Sequence, residues 1–133
     1  MQIVKPIDIE DALRIDLTEI VANARIFAPP APDDLGARCV QVMCVGGAKQ
    51  TAVSFEYSVR IDCWESTEAA AITLANDVAG AMNALIFGEP QSGRHYVTAE
   101  INATPYINPD PNRPTLPRAS FRAEIGIRGI PIF

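Results

Sequence analysis

The sequence predicts an α+β domain over residues 1–133: a four-stranded, mainly antiparallel sheet with two helices on one face and a long Pro-rich loop between the last two strands. Three observations lead there. In Thr51–Cys63 the residues Phe55, Tyr57, Val59, Ile61 and Cys63 alternate with Ser54, Glu56, Ser58, Arg60 and Asp62, the period of a half-buried strand. Directly after a Trp64-Glu65-Ser66-Thr67 corner, the apolar spacing changes to Ala71, Leu74, Ala75, Val78, Met82 and Leu85, which is helical. A second helical stripe, Ile9, Leu13, Leu17, Ile20, Val21 and Ala24, lies near the N-terminus. A helix and strand that each carry one apolar face bury those faces on each other.

The remaining elements follow in order. Asp8 is placed to cap a helix over Ile9–Ala24, and Glu10 and Asp11 complement the dipole of its first turn. A short extended piece, Arg25–Ala28, runs into Pro29, Pro30 and Pro32, which donate no ladder hydrogen bonds, so a loop extends through Gly36. Arg38–Val45 reads as a strand, and Gly46-Gly47 predicts a tight turn into the Thr51 strand. Ser66 or Thr67 caps the second helix, with Glu68 in its first turn. His95–Ala103 alternates again, with Val97, Ala99 and Ile101 predicted inward and Tyr96, Thr98 and Glu100 outward. Five prolines between Pro105 and Pro117 forbid regular structure over most of that stretch and predict an exposed excursion. Ala119–Gly129 forms the last strand, Phe121, Ala123, Ile125 and Ile127 inward. The apolar Ile130–Phe133 end is predicted to tuck against the core edge or to dock on a neighbour.

Composition narrows the function classes. At 133 residues the chain is one domain's worth and buries roughly two thirds of its unfolded surface, so no staple is needed. A net charge of -5 lacks the basic footprint that neutralises phosphates. Cys39, Cys44 and Cys63 are odd in number and sit in strand-like runs without CxxC spacing, which predicts reduced thiols, a protein made in a cytoplasm and no metal site. The first residues lack an apolar signal core and no run approaches a membrane span, so neither secretion nor embedding is expected.

Catalytic chemistry has little to stand on. The single histidine, His95, reads as an exposed strand-end imidazole, and Ser92 is too local to it to form a triad. Asp62 and Glu65 are expected to be solvated, and Cys63 inward and inert. Gly46-Gly47-Ala48-Lys49 lacks the spacing and the strand-to-helix context of a phosphate loop. What remains is surface: Glu56, Arg60, Asp62, Arg122, Glu124 and Arg128 on the polar sheet face, with Trp64 and Tyr96 on the same predicted parity. Mixed charge with interleaved aromatics suits a protein interface or a plain solvated face. A Pro-stiffened loop loses little entropy on docking. The candidate interface residues, chosen for exposure and rigidity, are Trp64, Tyr106, Asn108, Asp110, Asn112 and Arg113, and no cofactor is expected.

The Asp-rich start of the first helix, VQVMCVGG (Val40–Gly47), VRIDCWESTEAAAITLAND (Val59–Asp77) and NPDPNRPTLPRASFRAEIGIRG (Asn108–Gly129) together resemble the tail terminator family of long-tailed bacteriophages, in its actinobacterial branch. The resemblance covers most of the chain. Its most specific parts are the Cys-Trp corner and the Asp-Pro loop before the final strand. It implies a non-enzymatic virion protein, assembled in the host cytoplasm, that forms a ring, commonly a hexamer, on the last ring of the tail tube protein. That ring stops tube polymerisation, meets the head-side connector, and lets DNA pass without specific binding. The family supplies no named site residues for these positions. Two readings stand beside it: another neck component such as a stopper or adaptor, and a small cytosolic α+β enzyme or ligand-binding domain with a pocket at His95.

Overall fold

Alternation in four segments and helical spacing in two produce the elements in which they occur. The computed structural model describes residues 3–49 and 51–131. In chain order they form β1 (Val4–Lys5), α1 (Ile9–Ile20), β2 (Arg25–Phe27), β3 (Cys39–Lys49), β4 (Ser54–Trp64), α2 (Glu68–Ala84), β5 (Tyr96–Ile107), β6 (Arg118–Arg128) and β7 (Ile130–Pro131). The architecture is α+β. A mixed sheet runs in the order β2-β3-β4-β6-β5, and β1 pairs with β7 in a separate antiparallel ribbon. α1 packs over β2 and β3, α2 over β4, β6 and β5, and the two helices touch.

The core lies between these layers. Val59, Ile61 and Cys63 of β4 meet Phe121, Ala123, Ile125 and Ile127 of β6, and Leu74, Ala75, Val78 and Met82 of α2 close over them. Asp8 caps α1 by accepting from the Asp11 N–H at 3.1 Å, and Thr67 caps α2 by accepting from Ala70 at 3.1 Å. The helical stripe predicted for α2 is buried throughout.

Several expectations are corrected. The four predicted strands all form, and a fifth, β2, joins them in parallel with β3. Three residues are too few to show alternation, so pairing rather than pattern makes β2 a strand. Gly46-Gly47 is not the turn: β3 continues to Lys49, with a register shift between Cys44 and Gly46. Gly46 takes φ 146°, and a Cβ on Gly47 would lie 2.6 Å from the Glu56 carbonyl oxygen, so both glycines serve a bulge and a close strand approach. α1 ends at Ile20 instead of Ala24, with Asn23 at φ 60° in the turn beyond, and Ile20 itself is exposed.

β5 runs past Pro105 to Ile107, further than the prolines suggested, because it is an edge strand where a missing N–H is tolerated. A register shift between Tyr96 and Thr98 turns Tyr96 inward and leaves Val97 exposed, the reverse of the simple alternation. Ile130 packs against the core and pairs with Lys5, while Ile132 and Phe133 lie outside the described residues.

Candidate functional site

The Asn108–Pro117 loop is tied down on the outer sheet face. Trp64, last residue of β4, points to that face because its neighbour Cys63 points to the helices. It stacks on Phe27 of β2 with ring centroids 6.0 Å apart, and the Arg118 guanidinium lies over its ring, 5.8 Å from the centroid. Its indole Nε1 donates to Asp110 Oδ2 at 3.1 Å. Trp64 is 2% exposed and Asp110 4%, so both are anchors beneath the loop and not the exposed contacts expected.

Asp110 holds the loop from within. It accepts the Asn112 N–H at 3.0 Å and pairs with Arg113 Nη1 at 3.3 Å. Burial alone pushes its carboxyl up. The Asn112 N–H, the Trp64 indole and the Arg118 and Arg113 guanidiniums outweigh that and hold it below the ordinary carboxylate range. The neck of the loop is cinched separately: the Asn108 N–H donates to the Arg118 carbonyl at 2.8 Å, and Arg118 Nε donates back to the Asn108 carbonyl at 2.7 Å.

A polar network continues along the sheet from this neck. The Asn108 side chain donates to Ser120 Oγ at 3.1 Å, which donates to Asp62 Oδ1 at 2.5 Å. Arg60 Nε pairs with the same carboxylate at 3.1 Å, and Gln41 reaches its other oxygen at 3.4 Å. Asp62 is therefore buried and bonded, not solvated. Glu65 is also mostly covered and pairs with Arg38 at 3.8 Å. Periodicity could not reveal this, because Gln41 on β3, Ser120 on β6 and Arg38 ahead of β3 are remote in sequence from the carboxylates they bond.

Of the six candidate residues, Tyr106 is 48% exposed and Asn112 exposed, Asn108 and Arg113 are half-buried, and Trp64 and Asp110 lie underneath. The structure bonds Trp64, Asn112 and Arg113 to Asp110 and, separately, Asn108 to Arg118 and Ser120 at the neck, with Tyr106 of β5 opposite Ser120 of β6. Sequence reasoning missed Phe27 and Arg118. An Arg at the foot of a Pro-rich loop is a recognisable signal, whereas a Phe in a three-residue strand carries none.

A second buried carboxylate lies on the helix side. Asp16 of α1 accepts from the Ser92 N–H at 2.7 Å, Ser92 Oγ at 2.6 Å and the Tyr96 hydroxyl at 2.6 Å, tying the segment after α2 to α1. Burial, then the Asp16 carboxylate, pushes the Tyr96 hydroxyl far up. Burial and the Asp62 charge do the same to the Cys63 thiol. His95 is exposed beside an open hollow of about 410 Å³ shared with Glu89 and Arg94. Among the described residues, no three His, Cys, Asp or Glu side chains are spaced to hold a metal ion. Among the described residues, no helix is long and apolar enough to cross a membrane.

The loop is thus fixed at two places, its body and its neck, and Asn112 is exposed at its tip. No protein-family model matches the chain, and no curated protein matches it.

Proposed function

We propose that the chain is a structural virion protein of the tail terminator type. It forms a ring on the end of the tail tube, stops tube growth and joins the tail to the head-side connector. The observation that carries this reading is the doubly anchored loop. Trp64–Asp110 fixes its body and Asn108–Arg118 its neck, so Tyr106 and Asn112 stand on a pre-ordered scaffold. A surface fixed before docking loses little entropy on contact, and Tyr and Arg supply the anchors of protein interfaces. The stretches that resemble tail terminators fall on β3, on β4 with α2, and on this loop with β6, the parts that build the scaffold.

The test is direct. Negative-stain images of the purified protein, alone and with tail tubes from the same genome, are expected to show rings and capped tubes. A strictly monomeric protein whose gene deletion leaves tube length unchanged overturns the reading. Binding to the portal side, and not to the tube, replaces it with a stopper or adaptor role.

A further inference from the structure

Two successive rungs of the outer sheet face carry like charges. Arg60 of β4 stands opposite Arg122 of β6, and on the next outer-face rung Glu124 of β6 stands opposite Glu100 of β5. Like charges directly opposite each other across a ladder are destabilising. Partners within the chain relieve this only in part. Arg60 turns to Asp62 at 3.1 Å, and Glu124 accepts from Ser58 at 2.7 Å and from Asn102 at 2.9 Å. Arg122 and Glu100 are exposed, and among the described residues neither has a bonded partner.

Charge is thereby sorted along one face. Glu56, Glu100 and Glu124 lie toward the β3–β4 hairpin, with Arg128 at the margin opposite Ser54. Arg60 and Arg122 lie toward the Asn108–Pro117 loop with Arg113 and Arg118, and the carboxylates there, Asp62 and Asp110, are buried and already bonded. The boundary falls between Arg122 and Glu124. The relief of the face runs the same way. The loop, seated over Trp64, raises the basic end, and a hollow of about 340 Å³ among Ser54, Glu56, Thr98, Glu100, Glu124 and Gly126 lowers the acidic end.

A surface with these two gradients fits its own copy turned end over end. Both helices pack on the inner face, so the outer one is open to a second sheet, and sheets stacked face to face keep their strands nearly aligned. A half turn about an axis lying across the strands, between Arg122 and Glu124, sets Arg122 of each copy against Glu124 of the other, with Arg60 and Glu100 flanking them. It also lays each raised loop over the other copy's hollow. Each chain then exchanges a like-charge rung within itself for an opposite charge across the contact.

We infer that the outer face docks on the outer face of a second copy through this two-fold axis. The contact uses the same patch on both chains and closes at two. It goes beyond the ring reading and does not rest on it, since a contact of this kind builds no ring. Because the loop lies inside it, any other partner that takes the loop displaces the second copy. Opposed charge sets the register, and the contact weakens with salt.

Asn102 marks the axis. It is exposed and lies where β5 slips register between Ile101 and Ala103, between the two charged rungs. A two-fold axis brings such a residue against its own counterpart, which a head-to-tail contact does not. Asn102→Cys is expected to give a covalent dimer with a short thiol crosslinker, and wild type, with Cys39 and Cys63 buried and Cys44 half-buried, is not. Adding Arg122→Glu or Glu124→Arg is expected to slow crosslinking at least tenfold, and both in one chain to restore it. Thermal melts show that the single variants stay folded, each exchange having separated like charges within its own chain. No covalent dimer from Asn102→Cys, crosslinking unchanged by either exchange, or a loss that the double exchange does not restore overturns the inference. Rings or capped tubes without the covalent dimer overturn this contact alone, and the covalent dimer without rings or capped tubes overturns the ring reading alone.

Discussion

The Trp64 indole and the Asp110 carboxylate, 46 positions apart, meet at 3.1 Å with both side chains buried. This bond joins the end of the central strand to a loop that has no regular structure of its own. It makes the strand-to-helix corner the seat of the loop as well as the start of the second helix.

Asp110→Ala is expected to cost about 3 kcal/mol, because it strands the indole N–H and frees the Arg113 guanidinium at once. Trp64 is the only tryptophan, so urea unfolding followed by its fluorescence reads both the stability loss and a red-shifted native spectrum as the loop lifts. The acid limb follows from sign. The folded carboxyl titrates below its unfolded value of about 4, so its contribution is complete above that pH and is lost as pH falls through the folded value. In Asp110→Ala that part of the acid sensitivity disappears. A variant as stable as wild type at pH 7 refutes the anchor.

Tyr96→Phe removes one of the three donors to Asp16, which keeps both donors from Ser92. A loss of about 2 kcal/mol is expected in urea. The Tyr96 hydroxyl holds its proton more tightly folded than unfolded, so its contribution is present below the unfolded value of about 10 and is lost as pH rises past it. Burial also pushes Tyr57 up, so Tyr96→Phe flattens the alkaline limb without abolishing it. An unchanged alkaline limb counts against the Tyr96–Asp16 contact.

Two glycine substitutions should move stability in opposite directions. At Gly47 an added Cβ meets the Glu56 carbonyl at 2.6 Å, a backbone atom that yields only if the strands part, and Gly47→Ala is expected to cost about 2 kcal/mol. At Gly80 a Cβ meets nothing, and Gly80→Ala in the helix interior should gain about 1 kcal/mol. Thermal melts of the two variants separate by about 10 °C if this is right. A neutral Gly47→Ala means the hairpin arms are not held at this spacing.

Much of the fold was legible because its signals are local. Val59, Ile61 and Cys63 against Arg60 and Asp62, or Leu74, Ala75 and Val78 after Thr67, carry their period and caps within a few residues. What escaped depends on partners distant in the chain. Phe27 becomes part of a strand only because Gln41 lies beside it, and Tyr96 turns inward only because the ladder slips before Thr98. The candidate interface was half legible. The loop and its residues were recognisable from proline spacing, but strand parity put Trp64 outside and loop exposure put Asp110 there, where bonding between them puts both underneath.

The far edge of the sheet carries one more consequence. β5 slips register three times along its pairing with β6 and includes Pro105, so its free side offers no continuous row of evenly spaced donors and acceptors. An outermost strand broken in this way is a poor template for a stray strand from another chain. Copies can therefore crowd together without sheet growing upon sheet, and contacts between them are left to side chains, whose chemistry can be specific where backbone pairing is not.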